Sequence, residues 1–160
     1  MARLTKDDWL ALGLTALAEV GAEALTIEGL TARAQKTRGS FYHHFDDREA
    51  FVVGVLEVWR RQTERLLSSP DATLGDLDLN LERAVRRVKG AGPIVAAVDA
   101  ARLARLREAQ ADPESPAAAD YAQIAYSVFL GVVAAPAIDA PRARALMRLT
   151  REMIAAHWNE

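Results

Sequence analysis

TIEGLTARAQKTRGSFYHHFDDREAF, residues Thr26 to Phe51, carries the two closely spaced helix signals around which the chain is organised. Its opening threonine can cap a helix, and Ile27, Leu30 and Ala34 follow at helical spacing. The pattern breaks at Gln35-Lys36-Thr37. Thr37 offers a second cap, for a very short helix through Arg38, Gly39, Ser40, Phe41, Tyr42 and His43. Two short helices on a tight turn, the second polar and basic on its outer side, predict a helix-turn-helix.

The residue types name the surface such a helix would meet. Arg33 to His44 holds Arg33, Lys36, Arg38 and two histidines, and no acid. Thr37, Ser40 and Tyr42 add hydroxyl donors suited to phosphate oxygens. Gly39 removes a side chain where a backbone must come close to another surface. The net charge is −2 and the pI is near 6.0, which excludes a generally basic polyanion binder. Residues 1–60 hold seven Lys/Arg against nine Asp/Glu, so the argument rests on where charge is placed.

With these residues set out, the stretch resembles the DNA-binding module of TetR-family transcriptional regulators. The likeness covers roughly residues 5 to 60. It is carried by Thr26, by Thr37 in the place of a serine, by Arg38-Gly39-Ser40-Phe41-Tyr42-His43-His44-Phe45, and by Arg48 in the place of a lysine. The resemblance implies DNA contacts from Thr26, Lys36, Thr37, Arg38, Gly39, Ser40, Tyr42, His43 and Arg48. It also implies a homodimer that binds pseudo-palindromic operator DNA and leaves it when a small apolar molecule binds, which is the behaviour of a repressor. Two positions depart from the pattern. Gln35 stands where glycine is usual, and a left-handed turn there costs about 1 kcal/mol. Lys36 stands where a small apolar residue is usual, and its ammonium is expected to reach outward to a phosphate.

Side-chain chemistry divides the work within the module. Arg38, at the exposed start of the second helix, can reach guanine O6 and N7 together, or it can pair with Glu28. Tyr42, His43 and Arg48 suit the DNA backbone. Phe41 and Phe45 are expected to face inward. A metal reading of His43 and His44 fails, because adjacent helical positions point about 100° apart.

The rest of the chain reads as helices throughout. The 160 residues are 51% apolar, Ala- and Leu-rich, with no cysteine and hence no disulfide or thiolate metal site. The fold class is therefore all-α: a three-helix helix-turn-helix domain over residues 1–50, and a short helical domain over 51–160 forming a dimeric four-helix bundle. MARLTKDD has no apolar secretory core, which fits a cytoplasmic protein. Thr5 and Asp8 predict a capped first helix to about Val20, with Leu10, Leu14, Leu17 and Ala18 as its buried stripe. Asp46-Asp47 open a fourth helix, buried along Phe51, Val52, Val55, Leu56 and Trp59, that runs to about Leu67 and is ended by Ser68-Ser69-Pro70. Leu74, Leu77, Leu81, Ala84, Val85 and Val88 predict one further helix, stopped at Gly90-Ala91-Gly92-Pro93. The next runs from Pro93 to about Gln110. Arg83, Arg86, Arg87, Arg102, Arg105 and Arg107 are read as solvated faces.

Ala117 to Ala135 is the most apolar segment, and Ile124 to Ile138 carries no charge. That run is shorter than a membrane span needs and is interrupted by Pro136, so no membrane partner is expected. The last helix starts at Asp139 and Pro141 and runs to Trp158. Tyr121, Ile124, Val128, Leu146, Leu149 and Met153 are the expected dimer contacts, on two helices that pair with their own copies. An effector pocket, if built, would be lined by the helices between Leu74 and Leu106 with Tyr121 and Phe129. The resemblance makes the C-terminal part shorter than usual for the family. No catalytic triad, metal set or nucleotide loop is legible, so neither an enzyme nor a cofactor is expected. The competing reading is a degenerate helix-turn-helix protein that dimerises as an interaction module without specific DNA binding.

Overall fold

Thr5, Thr26 and Thr37 open three successive helices in the same way, each accepting a backbone N–H three residues on. The donors are Asp8, Gly29 and Ser40, at 3.2, 3.1 and 3.3 Å. Each bond satisfies one of the N–H groups a helix start leaves without a partner. At Thr5 the box is reciprocal, since the Asp8 carboxylate also receives the Thr5 N–H and hydroxyl. In this computed structural model, which describes residues 3–69 and 73–158, the helices so opened are α1 (Lys6–Glu19), α2 (Ile27–Ala34) and α3 (Arg38–Tyr42). They are followed by α4 (Arg48–Leu67), α5 (Leu79–Val85), α6 (Gly92–Glu108), α7 (Pro116–Ala134) and α8 (Ala140–Trp158). No strand occurs among the described residues, as the all-α reading requires. Pro70 and Asp71, where the fourth helix was expected to hand over to the next, lie outside them.

The chain packs as two units. One takes residues 1–62 and 80–95, the other residues 63–79 and 96–160. The boundary expected at residues 50/51 thus differs from the packing boundary, which falls inside α4. A continuous 20-residue helix gives a domain no place to end at its first turn.

The first unit is built on aromatic rings. Trp9, Phe41, Phe45 and Phe51 are all buried, with Phe41 5.6, 5.2 and 5.3 Å from the other three ring centres. Leu10, Leu14 and Leu17 line α1 as expected, but Trp9 is wholly buried and Ala18 only partly. Gly13 and Gly54 let α1 and α4 meet: a Cβ on Gly13 would lie 2.5 Å from Phe51, and one on Gly54 2.8 Å from Leu10. An alanine at Gly13 would displace the buried Phe51 ring and Val55, and one at Gly54 would require the Leu10 side chain to move. Within the same unit the Trp59 indole N–H donates to the buried Glu82 carboxylate at 3.0 Å, and Arg86 donates to its other oxygen at 2.8 Å. Such a buried carboxylate is tolerable because it is paired and hydrogen-bonded.

In the second unit the stripe from Leu74 to Val88 is not one helix. Thr73 and Asp76 bond reciprocally around a single 3-10 turn at Leu74–Asp76, and α5 starts only at Leu79. Leu74 and Leu79 join a core with Tyr126, Phe129, Val132, Val133 and Ala143, while Leu81, Ala84, Val85 and Val88 are buried residues of the first unit. One periodic stripe therefore serves two cores.

The arginines are also less solvated than their charge implied. Arg102 is wholly buried, its guanidinium 5.2 Å over the Phe129 ring and 3.1 Å from Asp99, and Arg105 donates to the Leu67 carbonyl at 3.0 Å. Arginine can be taken in this way because its flat, weakly hydrated head stacks on a ring while pairing at its edge. α7 is long and apolar enough to cross a membrane, with a mean hydropathy of 1.3. Its Ala118, Ala122, Ala125, Tyr126, Phe129, Val132 and Val133 are instead buried in protein, as a core helix requires.

Candidate nucleic-acid interface

The turn between α2 and α3 solves the Gln35 problem by accepting it. Gln35 is left-handed at φ 52°, ψ 44°, the single positive φ outside glycine among the described residues. Its N–H reaches Ala32 O at 3.1 Å, and the Lys36 N–H reaches Thr31 O at 3.0 Å. This pair of bonds closes a helix end of the Schellman type, usually made with glycine. The turn that glycine would make is therefore intact, and the side chain costs about 1 kcal/mol.

α3 is only five residues long and its orientation depends on packing. Phe41 is wholly buried and Phe45 nearly so, as expected, which turns Tyr42 outward at 51% exposure. Arg38, Gly39 and His43 are exposed with it, and Ser40 and Lys36 are half-buried. Gly39 has helical company, and a Cβ there would meet nothing nearer than Thr37 Oγ1 at 3.8 Å. Nothing inside the molecule requires glycine at that point.

Most of the basic groups already hold something. Arg38 pairs with Glu28 and Arg33 with Glu19. Arg48 Nε donates to the Leu25 carbonyl at 2.6 Å, bracing the segment that leads into Thr26. Arg3, which the sequence reading passed over, reaches His43. His44 bonds the Leu4 carbonyl at 2.9 Å, a local role. Lys6 lies 5.4 Å over the Phe45 ring. The Arg38–Glu28 pair is open to water, with 64% and 65% of its side chains exposed. Such pairs are worth about 0–1 kcal/mol, so Arg38 can exchange its carboxylate for another acceptor at little loss. Thr26 and Thr37 use a lone pair as caps and keep their hydroxyl protons to donate.

The nine sequence-predicted residues thus fall on and around one turn and one short helix, within Thr26 to Arg48. The acidic groups near them are Glu28 and the Asp46-Asp47 pair, of which Asp47 caps α4 by accepting the Ala50 N–H at 2.7 Å. Elsewhere, the expected pocket needs correction. In the second unit a cavity of about 880 Å³ is lined by Leu74, Leu106 and Tyr121, but α5 does not contribute and Phe129 lies in the core. α8 and the 109–115 connection supply the remaining wall. Three arginines on α8, Arg144, Arg148 and Arg151, line it and were missed. Their i, i+4, i+7 spacing on one helix face was the available signal.

The architecture is that of a helix-turn-helix protein with a separate all-helical unit. Residues 10–55 match the family model described as bacterial regulatory proteins, tetR family. Over those residues the chain is similar to that family of transcriptional regulators. Over 57 residues it is 35% identical to the HTH-type transcriptional repressor DhaR of Mycobacterium sp. (strain GP1), a match covering 36% of this chain and 29% of that protein. A transcriptional regulator (TerR/AcrR family) from Aquifex aeolicus VF5 shares the fold at TM-score 0.65 and 15% identity, over 93% of this chain and 98% of that one. A transcriptional regulator from Rhodococcus sp. Rha1 does so at TM-score 0.70 and 13% identity, over 96% and 97%. The reduced form of E. coli NemR matches at TM-score 0.64 and 19% identity, over 92% and 95%.

Proposed function

We propose that the protein is a homodimeric, sequence-specific DNA-binding repressor of the cytoplasm, released from its operator by a small molecule with an apolar body. Residues 1–50 carry the DNA contact, and residues 51–160 carry the dimer contact and the effector. The observation that bears most weight is the contrast within α3. Phe41 is sealed in the aromatic core, while Arg38, Gly39, Tyr42 and His43 stand exposed on the other side of the same short segment. Arg38 reads a guanine edge; Lys36, Thr37, Ser40, Tyr42, His43, Arg48 and the Thr26 hydroxyl hold phosphates, with Gly39 letting the backbone approach.

Dimerisation is supported by the apolar side chains that α7 and α8 leave open to water. Ile124, Leu149 and Met153 are 44, 49 and 64% exposed, and Tyr121, Val128 and Leu146 are half-buried beside them in sequence. A two-fold pair would set two recognition helices about one DNA turn, roughly 34 Å, or a multiple of it apart. Effector control is supported by the 880 Å³ cavity, a volume within the range of small-molecule sites.

An electrophoretic shift with DNA from around the protein's own gene tests the reading, repeated over a salt series. Lys36, Arg38 and Arg48 from two subunits give about six charged contacts and a log–log salt slope of about −5. A slope near zero on the best site would move the conclusion to the interaction-module reading, which the internal engagement of Arg33, Arg38 and Arg48 favours.

A further inference from the structure

The cavity of the second unit has one wall of a different character from the rest. Leu74, Leu106, Met147 and Ile154, with Ala118 and Ala125, make it apolar. Arg144, Arg148 and Arg151 line it as well, from one face of α8. Residues four and seven apart on a helix lie within about 40° of each other, so the three guanidinium groups form a single stripe.

What opposes this charge is already occupied. Asp76, a lining residue, receives the Thr73 N–H and hydroxyl at 2.8 and 2.9 Å, which spends its carboxylate on the local turn. Asp112, also in the lining, receives the Glu114 N–H at 3.3 Å. Arg148 lies 3.9 Å from Glu152, a loose pair between two mostly exposed side chains. Among the described residues no ion pair is recorded for Arg144 or Arg151. Tyr121 completes the polar edge. Partial burial raises its phenol above the ordinary value, while Arg151 and Gln110 beside it pull the other way.

We propose that this cavity takes an amphipathic monoanion, an apolar body ending in one carboxylate, and that Arg144, Arg148 and Arg151 select its charge. The proposal rests on the reading of this unit as the effector-binding part and names the chemical class of the effector. Three arginines against two aspartates leave the lining one positive charge in excess, which a single carboxylate balances. The planar guanidinium suits that group because it can donate two parallel N–H bonds to both oxygens. Leu74, Leu106, Met147 and Ile154 would take up the apolar body.

On α8 the face used here differs from the face assigned to the dimer, while Tyr121 of α7 belongs to both. Arg144, Met147, Arg148, Arg151 and Ile154 line the cavity, whereas Leu149 and Met153 do not. Effector and partner copy therefore need not compete for the same side of α8.

Titration calorimetry on the full chain tests this with decanoate, decan-1-ol, decyltrimethylammonium and inorganic phosphate, each below any micelle-forming concentration. The same probes are titrated into an Arg144→Gln, Arg148→Gln, Arg151→Gln variant. All three positions are exposed, so the variant is expected to keep the wild-type circular dichroism melt. Decanoate should bind the wild type about tenfold tighter than decanol, and the variant should lose that preference. Decanol binding as tightly as decanoate, a preference for the cation, or a variant that still favours decanoate would each overturn the anion assignment and leave effector control standing. Phosphate competing as well as decanoate would overturn the amphipathic class. Binding of none of the probes would overturn this proposal, and operator release by other compounds would then decide the effector reading separately.

Discussion

The two units fill their interiors with different materials. Around α3, four large buried rings meet with centres 5.0 to 5.6 Å apart. Along α7 the buried set is rich in alanine and valine, with Tyr126 and Phe129 as the large members, and a cavity of about 880 Å³ remains in that unit. The difference teaches a division of labour. A helix of five residues cannot hold its own shape in water. Its orientation is fixed because Phe41 is clamped by rings on several sides. The second unit, packed with smaller side chains, leaves room instead.

That comparison breaks most easily at Phe41. Phe41→Ala should destabilise the protein by about 3–5 kcal/mol, read from the urea midpoint, whereas Tyr42→Ala next to it should leave stability within about 0.5 kcal/mol. Equal losses from the two would mean that α3 is not held by its buried ring.

On the other side of the comparison, Leu149→Arg places a charge on an exposed position of α8. It should leave the monomer folded and cost the dimer about 3 kcal/mol or more by burying an unpaired charge. Light scattering should give twice 17.4 kDa for the wild type at micromolar concentration and a mass near 17.4 kDa for the variant. A wild-type monomer would remove the dimer from the account.

A smaller gain is expected at the turn. Gln35→Gly relieves a left-handed residue and should stabilise by about 0.5–1 kcal/mol, offset in part by glycine's freer unfolded chain. Loss of stability would show that the Gln35 side chain holds the turn by a contact of its own. The smallest effect is at Asp8, whose carboxyl the Thr5 N–H and hydroxyl hold below its ordinary value of 3.8. The carboxylate form is the one the fold favours. Its contribution is thus present above the ordinary range and fades as pH falls through the lowered value. Asp8→Asn should flatten that acid limb of the stability curve; an unchanged limb would assign acid sensitivity to other carboxylates.

Legibility in the sequence followed the same divide. The helix-turn-helix was readable because its signals are local: three threonine caps, a broken period at Gln35, and Phe41 and Phe45 on the side opposite Tyr42. The second unit depended on distant partners. The Leu74 to Val88 stripe has unbroken helical spacing, and only the Thr73–Asp76 box and the division between two cores interrupt it. Arg102 read as a surface charge because its burial needs Phe129, 27 positions away in sequence. The Arg38–Glu28 pair was open to either reading, since an exposed ion pair and a base contact need the same side chain.

Whether α3 reads DNA sequence is decided by a binding-site selection run in parallel on the wild type, Arg38→Ala and Arg48→Ala. The wild type should enrich a two-fold symmetric site. Arg38→Ala should lose about 1–3 kcal/mol on that site and relax preference at one base pair per half-site, while Arg48→Ala weakens all sequences alike with a salt slope shallower by about one unit per charge removed. No enrichment by the wild type, or an Arg38→Ala variant that keeps the wild-type preference while Arg48→Ala changes it, would contradict the claim.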